Sequence, residues 1–175
     1  ISGGLPALEV TLRTPRALDC IRALADLPGA AVGAGTILTG AQAAAAAAAG
    51  ATFLVSPGAT AKLVDEVEAH GVPLLPGVAT ASEAMALLER GYTRQKFFPA
   101  EAVGGVAHLK SLASPLPAIR FCPTGGIDLA KAPSYLACPN VVCVGGSWIT
   151  QAEAIGARDW SRIEALARQA AGLAR

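Results

Sequence analysis

Short apolar runs recur along this chain at nearly even intervals, and a helix-length segment fills each gap between them. The runs are Leu8–Arg13, Ala31–Thr36, Phe53–Gly58, Pro73–Val78, Arg94–Ala100, Ile119–Gly126 and Val141–Ser147, with starts about 20–25 residues apart. That rhythm predicts repeated βα units and an α/β fold with a parallel sheet. The gaps carry helix signals. Thr14-Pro15 offers an N-cap followed by proline at the first helical position. Thr39 can cap the alanine run Ala43–Ala49, which Gly50 closes. Ser82 and Glu83 precede a third helical stretch, and Trp160–Leu173 has apolar positions near a 3.6-residue period. No linker or charge block divides the chain, so one domain is expected over residues 1–175.

Seven parallel strands leave two unpaired edges, whereas eight βα units close a barrel. The fold expected is therefore a (β/α)8 TIM barrel with seven of its eight units visible. Ile1-Ser2-Gly3-Gly4 reads as the tail of a helix, and a preceding unit of roughly 20–30 residues is expected in the native protein.

In such a barrel the outer strand face meets helices, so polar residues at alternate positions point into the lumen. Leu8, Val10 and Leu12 then face outward, while Glu9, Thr11 and Arg13 face inward. A carboxylate and a guanidinium along one strand suggest a site; the alternative is a structural ion pair filling the lumen. By the same alternation Lys96 and Phe98 share the inward face, opposite Phe97. A lysine buried on a strand is costly, and the usual relief is a lowered pKa that leaves a nucleophilic amine. The competing reading of Lys96 is a side chain snorkelling from a strand end. The last two runs end in Thr124-Gly125-Gly126 and Gly145-Gly146-Ser147. Glycine pairs after the seventh and eighth strands are where barrels bring backbone N–H groups to a phosphate. Thr36 and Pro57 close their runs at the same rim and look like turn residues.

Composition narrows the function classes. Lys and Arg number 14 against 13 Asp and Glu, so no bulk basic field points to nucleic acid or acidic membranes. Mean hydropathy is high at +0.46, yet glycine and proline interrupt every apolar run well short of a membrane span. Cys20, Cys122, Cys138 and Cys143 lack C-x-x-C spacing and suggest buried, reduced thiols in a cytoplasmic protein. His70 and His108 have no ligand-like neighbours in sequence, so neither a metal nor another cofactor is expected. These residues leave three readings open: a Schiff-base enzyme, a phosphate-binding barrel isomerase or synthase, and a barrel that binds sugar phosphates without turnover.

The segments EVTLRT (Glu9–Thr14), VGAGT (Val32–Thr36), SPG (Ser56–Gly58), KFFPAE (Lys96–Glu101), RFCPTGGI (Arg120–Ile127) and VGGSW (Val144–Trp148) resemble one family. It is that of the 2-keto-3-deoxy-6-phosphogluconate aldolases, which often also cleave 4-hydroxy-2-oxoglutarate. The segments follow family order over nearly the whole chain, and KFFPAE with RFCPTGGI is the most specific pair. The resemblance implies a (β/α)8 barrel, usually a homotrimer, acting as a class I aldolase without metal. It implies Lys96 as the Schiff-base lysine and Glu9 as the general acid and base. Arg13 and Thr36 would hold the carboxylate of the pyruvate portion. Phe98, Pro57 and Thr124 would shape the pocket, and Gly125, Gly126, Gly146 and Ser147 would hold the phosphate. The substrate implied is a phosphorylated keto-sugar acid, 2-dehydro-3-deoxy-6-phosphogluconate or its galactonate epimer, cleaved to pyruvate and an aldehyde. The family carries a strand and helix before EVTLRT that this sequence lacks.

Overall fold

The computed structural model describes residues 1–173. The chain groups into two compact units, Pro6–Lys96, and Ile1–Leu5 with Phe97 onward. The first runs β1 (Ala7–Thr11), α1 (Ala17–Leu24), β2 (Ala31–Gly35), α2 (Gly40–Ala48), β3 (Phe53–Val55), α3 (Ala61–Glu68), β4 (Leu74–Leu75), β5 (Gly77–Val78), α4 (Ala81–Glu89) and most of β6 (Arg94–Phe97). β1 to β4 form a parallel sheet in chain order, with Glu9 opposite Gly33 and Thr11 opposite Gly35.

The alternation read from sequence holds in this unit. Val10 and Leu12 pack against a core of Ile21, Val32, Ala34, Ile37 and Leu54, the helix side of the sheet. Ala43 and Ala46 of α2 are fully buried in the same core. Alanine there lets the helix backbone lie close to the sheet, and Ala46→Leu would overpack it by about 1–3 kcal/mol. The Thr39 hydroxyl caps α2 by accepting from Gln42 N at 3.2 Å, and Gly50, with φ +98, follows the helix end, both as expected.

Elsewhere the boundaries differ. Thr14-Pro15 does not open a helix: the Thr14 carbonyl accepts from Ala17 N at 3.2 Å, and α1 starts after that turn, with Arg16 at its N-cap. α4 begins at Ala81 because Thr80, not Ser82, caps it, in a reciprocal capping box with Glu83. The run Pro73–Val78 is cut by Pro76, whose missing N–H breaks the ladder. β4 on one side pairs with β3, β5 on the other pairs with β6, and the Pro76 carbonyl accepts from Lys96 N at 2.8 Å.

The second unit continues with α5 (Gly105–Ala113), β7 (Arg120–Pro123), α6 (Ala132–Leu136), α7 (Ala152–Gly156) and α8 (Trp160–Ala171). Its core includes Phe97, whose ring lies edge-on to His108 at 5.2 Å and to Phe121 at 6.1 Å. The run Val141–Ser147 is not a continuous strand. It touches β7 and the residue after it through two isolated parallel bridges, Phe121 to Val141 and Thr124 to Gly145. Pro123 has no N–H to give, so the ladder between those bridges is incomplete. Of the four cysteines only Cys138 is buried; Cys20, on α1, and Cys143 are exposed. No helix among the described residues is long and apolar enough to cross a membrane.

Candidate active site

Two sets of the residues singled out in sequence come together, one in each unit. In Pro6–Lys96 the centre is Lys96. It is 7% exposed, so it does not snorkel to solvent. Its Nζ lies 3.9 Å from Oε1 of Glu9. That is too long for a direct hydrogen bond and within reach through one water. The Glu9 side chain is about one-third exposed at 32%, which leaves it open to exchange protons.

Glu9 owes its position to β2. A Cβ on Gly35 would fall 1.9 Å from Glu9 Oε1, and one on Gly33 would fall 2.2 Å from the Phe53 ring. No other residue type leaves the carboxylate that space. Sequence alone assigns these two glycines no role. The signal was present: glycines two apart inside a strand put two gaps on one face.

Thr36 follows directly, with φ +62. A β-branched residue there carries strain of about 1–2 kcal/mol. Backbone bonds on either side hold it: Leu12 N donates to Gly35 O at 2.8 Å, and Ile37 N to Val55 O at 3.1 Å. Such enforced strain is a mark of functional positions. Arg13 lies two residues beyond the end of β1 and is exposed. Its Nε donates to Thr11 Oγ1 at 3.1 Å, so it does not spend its charge on Glu9. Pro57 follows the fully buried Ser56, whose hydroxyl accepts from Gly77 N at 3.4 Å. Gly77 is needed there because a Cβ would meet the Pro57 carbonyl at 2.3 Å.

The second set lies around the end of β7. Thr124 N donates to Phe97 O at 3.0 Å, and the Thr124 carbonyl accepts from Ala100 N at 2.9 Å. Gly125 and Gly126 follow with φ +105 and +78, values that side chains rarely adopt. A Cβ on Gly125 would press on the Phe98 ring and Pro99 Cα at 3.3 Å. Gly145 meets Thr124 through the parallel bridge, which brings Gly146 and Ser147 alongside the same turn. Both are exposed. Thr124, Gly125 and Gly126, with Phe98 against Gly125, and the segment of Gly146 and Ser147 that follows the bridged Gly145 make up this second set.

A groove of about 540 Å³ between the starts of α2 and α3, lined by Leu38, Thr39, Gly40, Thr60, Leu63 and His70 among others, includes none of these residues. That groove offers no buried nucleophile, whereas Lys96 is a buried amine.

The family described as KDPG and KHG aldolase matches residues 1–166. The chain belongs to that family. A 2-dehydro-3-deoxy-phosphogluconate aldolase of Pseudoalteromonas atlantica is 51% identical over 171 residues, 97% of this chain and 80% of the relative. The 2-keto-3-deoxy-6-phosphogluconate aldolase of Zymomonas mobilis, solved with 3-phosphoglycerate, superposes with a TM-score of 0.94 at 50% identity, covering 99% of this chain and 82% of that one. The KDPG aldolase of Legionella pneumophila holds pyruvate as a covalent carbinolamine; its TM-score is 0.93 at 46% identity, over 97% of this chain and 82% of that one. The fold of this KDPG and KHG aldolase family member is accordingly of the TIM-barrel type, with parallel strands alternating with helices as the sequence predicts.

Proposed function

We propose that this chain is a class I, Schiff-base aldolase. It cleaves 2-dehydro-3-deoxy-6-phosphogluconate to pyruvate and glyceraldehyde 3-phosphate, and 4-hydroxy-2-oxoglutarate to pyruvate and glyoxylate. The observation that carries this reading is a buried lysine amine 3.9 Å from the carboxylate of Glu9, in a chain of this family.

In the reaction, the unprotonated amine of Lys96 adds to the C2 ketone, forming the C–N bond of a carbinolamine. Glu9, through a water, holds the proton given up when the Lys96 amine is freed, delivers it so that the C2 hydroxyl leaves as water with formation of the iminium, and the final hydrolysis returns that proton. Glu9, again a carboxylate, then takes the proton of the C4 hydroxyl. The C3–C4 bond breaks, its electrons pass into the iminium, and glyceraldehyde 3-phosphate departs with a new carbonyl at the former C4. The enamine left on Lys96 takes a proton at C3 from Glu9. Water then adds to the iminium carbon, releasing pyruvate and restoring the amine.

Arg13 and Thr36 hold the keto acid's carboxylate in this scheme; the planar guanidinium suits a bidentate contact that lysine reproduces poorly. Pro57, Phe98 and Thr124 shape the pocket, and Gly125, Gly126, Gly146 and Ser147 hold the phosphate through backbone N–H groups and a hydroxyl. A homotrimer in the cytoplasm is part of the same proposal, and sedimentation of the purified protein tests the assembly. The chemistry is tested by borohydride reduction in the presence of pyruvate, followed by peptide mapping. Added mass at Lys96 is expected. Labelling at Lys62, Lys110 or Lys131 instead, or at no lysine, would overturn the assignment.

A further inference from the structure

Beyond the groups that touch substrate in this scheme, the second unit holds three ionisable side chains with a shared geometry. Glu101 closes the KFFPAE segment, and its two carboxylate oxygens serve different partners. Oε1 accepts a short hydrogen bond from the Tyr135 hydroxyl. Oε2 lies 2.8 Å from Nζ of Lys131. The same Nζ donates to the carbonyl of Gly126 at 3.0 Å, and the Glu101 backbone N–H donates to the carbonyl of Gly125 at 3.2 Å. Both carbonyls of the glycine pair are therefore tied to Glu101 or to its cation.

The fit around this network is close. A Cβ on Gly126 would lie 2.8 Å from Glu101 Cγ, and one on Gly105 would lie 3.0 Å from the Tyr135 hydroxyl oxygen. The Tyr135 residue is 1% exposed. Lys131 is itself fixed by Asp128, whose Oδ1 accepts from the Lys131 N–H at 2.9 Å. The Lys131 and Tyr135 bonds hold the Glu101 carboxyl below its usual range, and burial is the main cause that pushes the Tyr135 hydroxyl up.

A half-exposed lysine–glutamate pair is worth little to stability by itself. This one differs because it ends on two adjacent glycines at positive φ, residues poorly able to hold their own conformation. Glycine loses more freedom on ordering than any other residue, and a loop of two at positive φ needs external ties to keep its N–H groups aimed at an anion. We propose that Glu101, together with Lys131 and Tyr135, is a positioning residue that holds the Gly125–Gly126 backbone in its phosphate-binding form. This rests on the reading above, in which those glycines hold the phosphate.

The sign of one substitution separates positioning from simple charge. By Coulomb's law, removing a carboxylate beside a phosphate site tightens anion binding. Loss of a tether weakens it. For Glu101→Gln we expect kcat/KM for the phosphorylated substrate, divided by that for 4-hydroxy-2-oxoglutarate, to fall about tenfold, the scale of one charge-assisted hydrogen bond. The change should sit in KM rather than kcat, and the inhibition constant of inorganic phosphate should rise by a similar factor. Tyr135→Phe keeps the buried ring and should shift the ratio the same way by about threefold, and the pair together by less than the product, because both act on one carboxylate. It also serves as the test if Glu101→Gln folds poorly. Lys131→Arg should retain the wild-type ratio where Lys131→Met loses it. An unchanged or raised ratio in Glu101→Gln and Tyr135→Phe, or equal loss on both substrates, overturns the positioning role alone. If wild-type protein turns over but inorganic phosphate does not compete, the phosphate assignment fails and the positioning role with it.

Discussion

In β2, Gly33 and Gly35 have no left-handed backbone; what they supply is room, for the Phe53 ring and the Glu9 carboxylate respectively. In the turn after β7, Gly125 and Gly126 supply conformation, with φ of +105 and +78. Both regions present Gly-x-Gly or Gly-Gly strings that look alike in sequence. One makes space for an acidic side chain beside an amine, and the other frees backbone N–H groups from side chains altogether. Alanine at the two places should therefore fail in different ways, through proton transfer in the first and through anion binding in the second.

The largest expected effect calibrates the first region. In the proposed reaction Lys96→Ala removes the atom that bonds to substrate, and turnover should fall by on the order of 10⁵-fold or more, as for loss of a covalent nucleophile. Gly35→Ala comes next. A methyl group 1.9 Å from Glu9 Oε1 must push the carboxylate aside. The rate should fall about 10²–10⁴-fold, the usual worth of positioned acid–base catalysis. Borohydride should still trap pyruvate on Lys96, as it should, slowly, in Glu9→Gln. Adding Gly35→Ala to Glu9→Gln should cost little more, since both remove one function. Full additivity would show that Gly35 matters for something other than Glu9. Gly125→Ala, by contrast, should cost about 1–2 kcal/mol of stability from its left-handed backbone. Its kinetic loss should fall on the phosphorylated substrate, sparing 4-hydroxy-2-oxoglutarate. If the two alanine variants discriminate the substrates equally, the contrast between the two regions is wrong.

Thr36 tests whether strain in the first region serves the site. Asparagine tolerates a left-handed backbone better than a β-branched residue does. Thr36→Asn should therefore raise stability by about 0.5–1 kcal/mol, part of the strain released, while it weakens pyruvate binding. Urea denaturation with a pyruvate trapping titration reads both. A variant that is less stable and binds pyruvate normally would show that φ +62 is supported by something other than function.

Much of this was legible in the chain before any coordinates. Strand alternation placed Glu9, Lys96 and the outward Val10 correctly because period-two burial is local and strong. The spacing of apolar runs gave the βα rhythm for the same reason. Less visible were details fixed by partners far along the chain. The split at Pro76 depends on which neighbour each half finds, β3 or β6. Val141–Ser147 reads as a strand by composition, yet the strand beside it ends in Pro123, which cannot complete the ladder. The space that Gly35 leaves for Glu9 depends on how β1 and β2 pair, which the sequence of β2 alone does not contain. The Glu101–Lys131–Tyr135 network joins positions 30 or more residues apart, and no periodicity connects them.

Carboxylates supply the last and smallest contrast between the units. Glu83 is held below its ordinary 4.5 mainly by the Ala79 backbone N–H, with the Thr80 N–H and hydroxyl adding to it against the opposing effect of burial. Glu101 is held below 4.5 mainly by Lys131, then by Tyr135. For both, the folded value lies under the unfolded one. Their stabilisation is thus fully present above the unfolded value, and it is lost as pH falls through the folded one. Urea midpoints of wild type and Glu83→Gln should differ at pH 6 and converge below pH 4.5, with the gap under about 1 kcal/mol for so exposed a group. Glu101→Gln should converge with wild type over the same range. Salt then tells the two apart. The Glu101 gap should shrink in high salt because its main partner is a half-exposed cation, whereas the Glu83 gap, made with backbone N–H groups, should persist. Equal salt sensitivity at the two positions would mean that the Glu101 network draws its strength from Tyr135 rather than from Lys131, and the glycine pair would then be held mainly through the Glu101 backbone N–H on the Gly125 carbonyl.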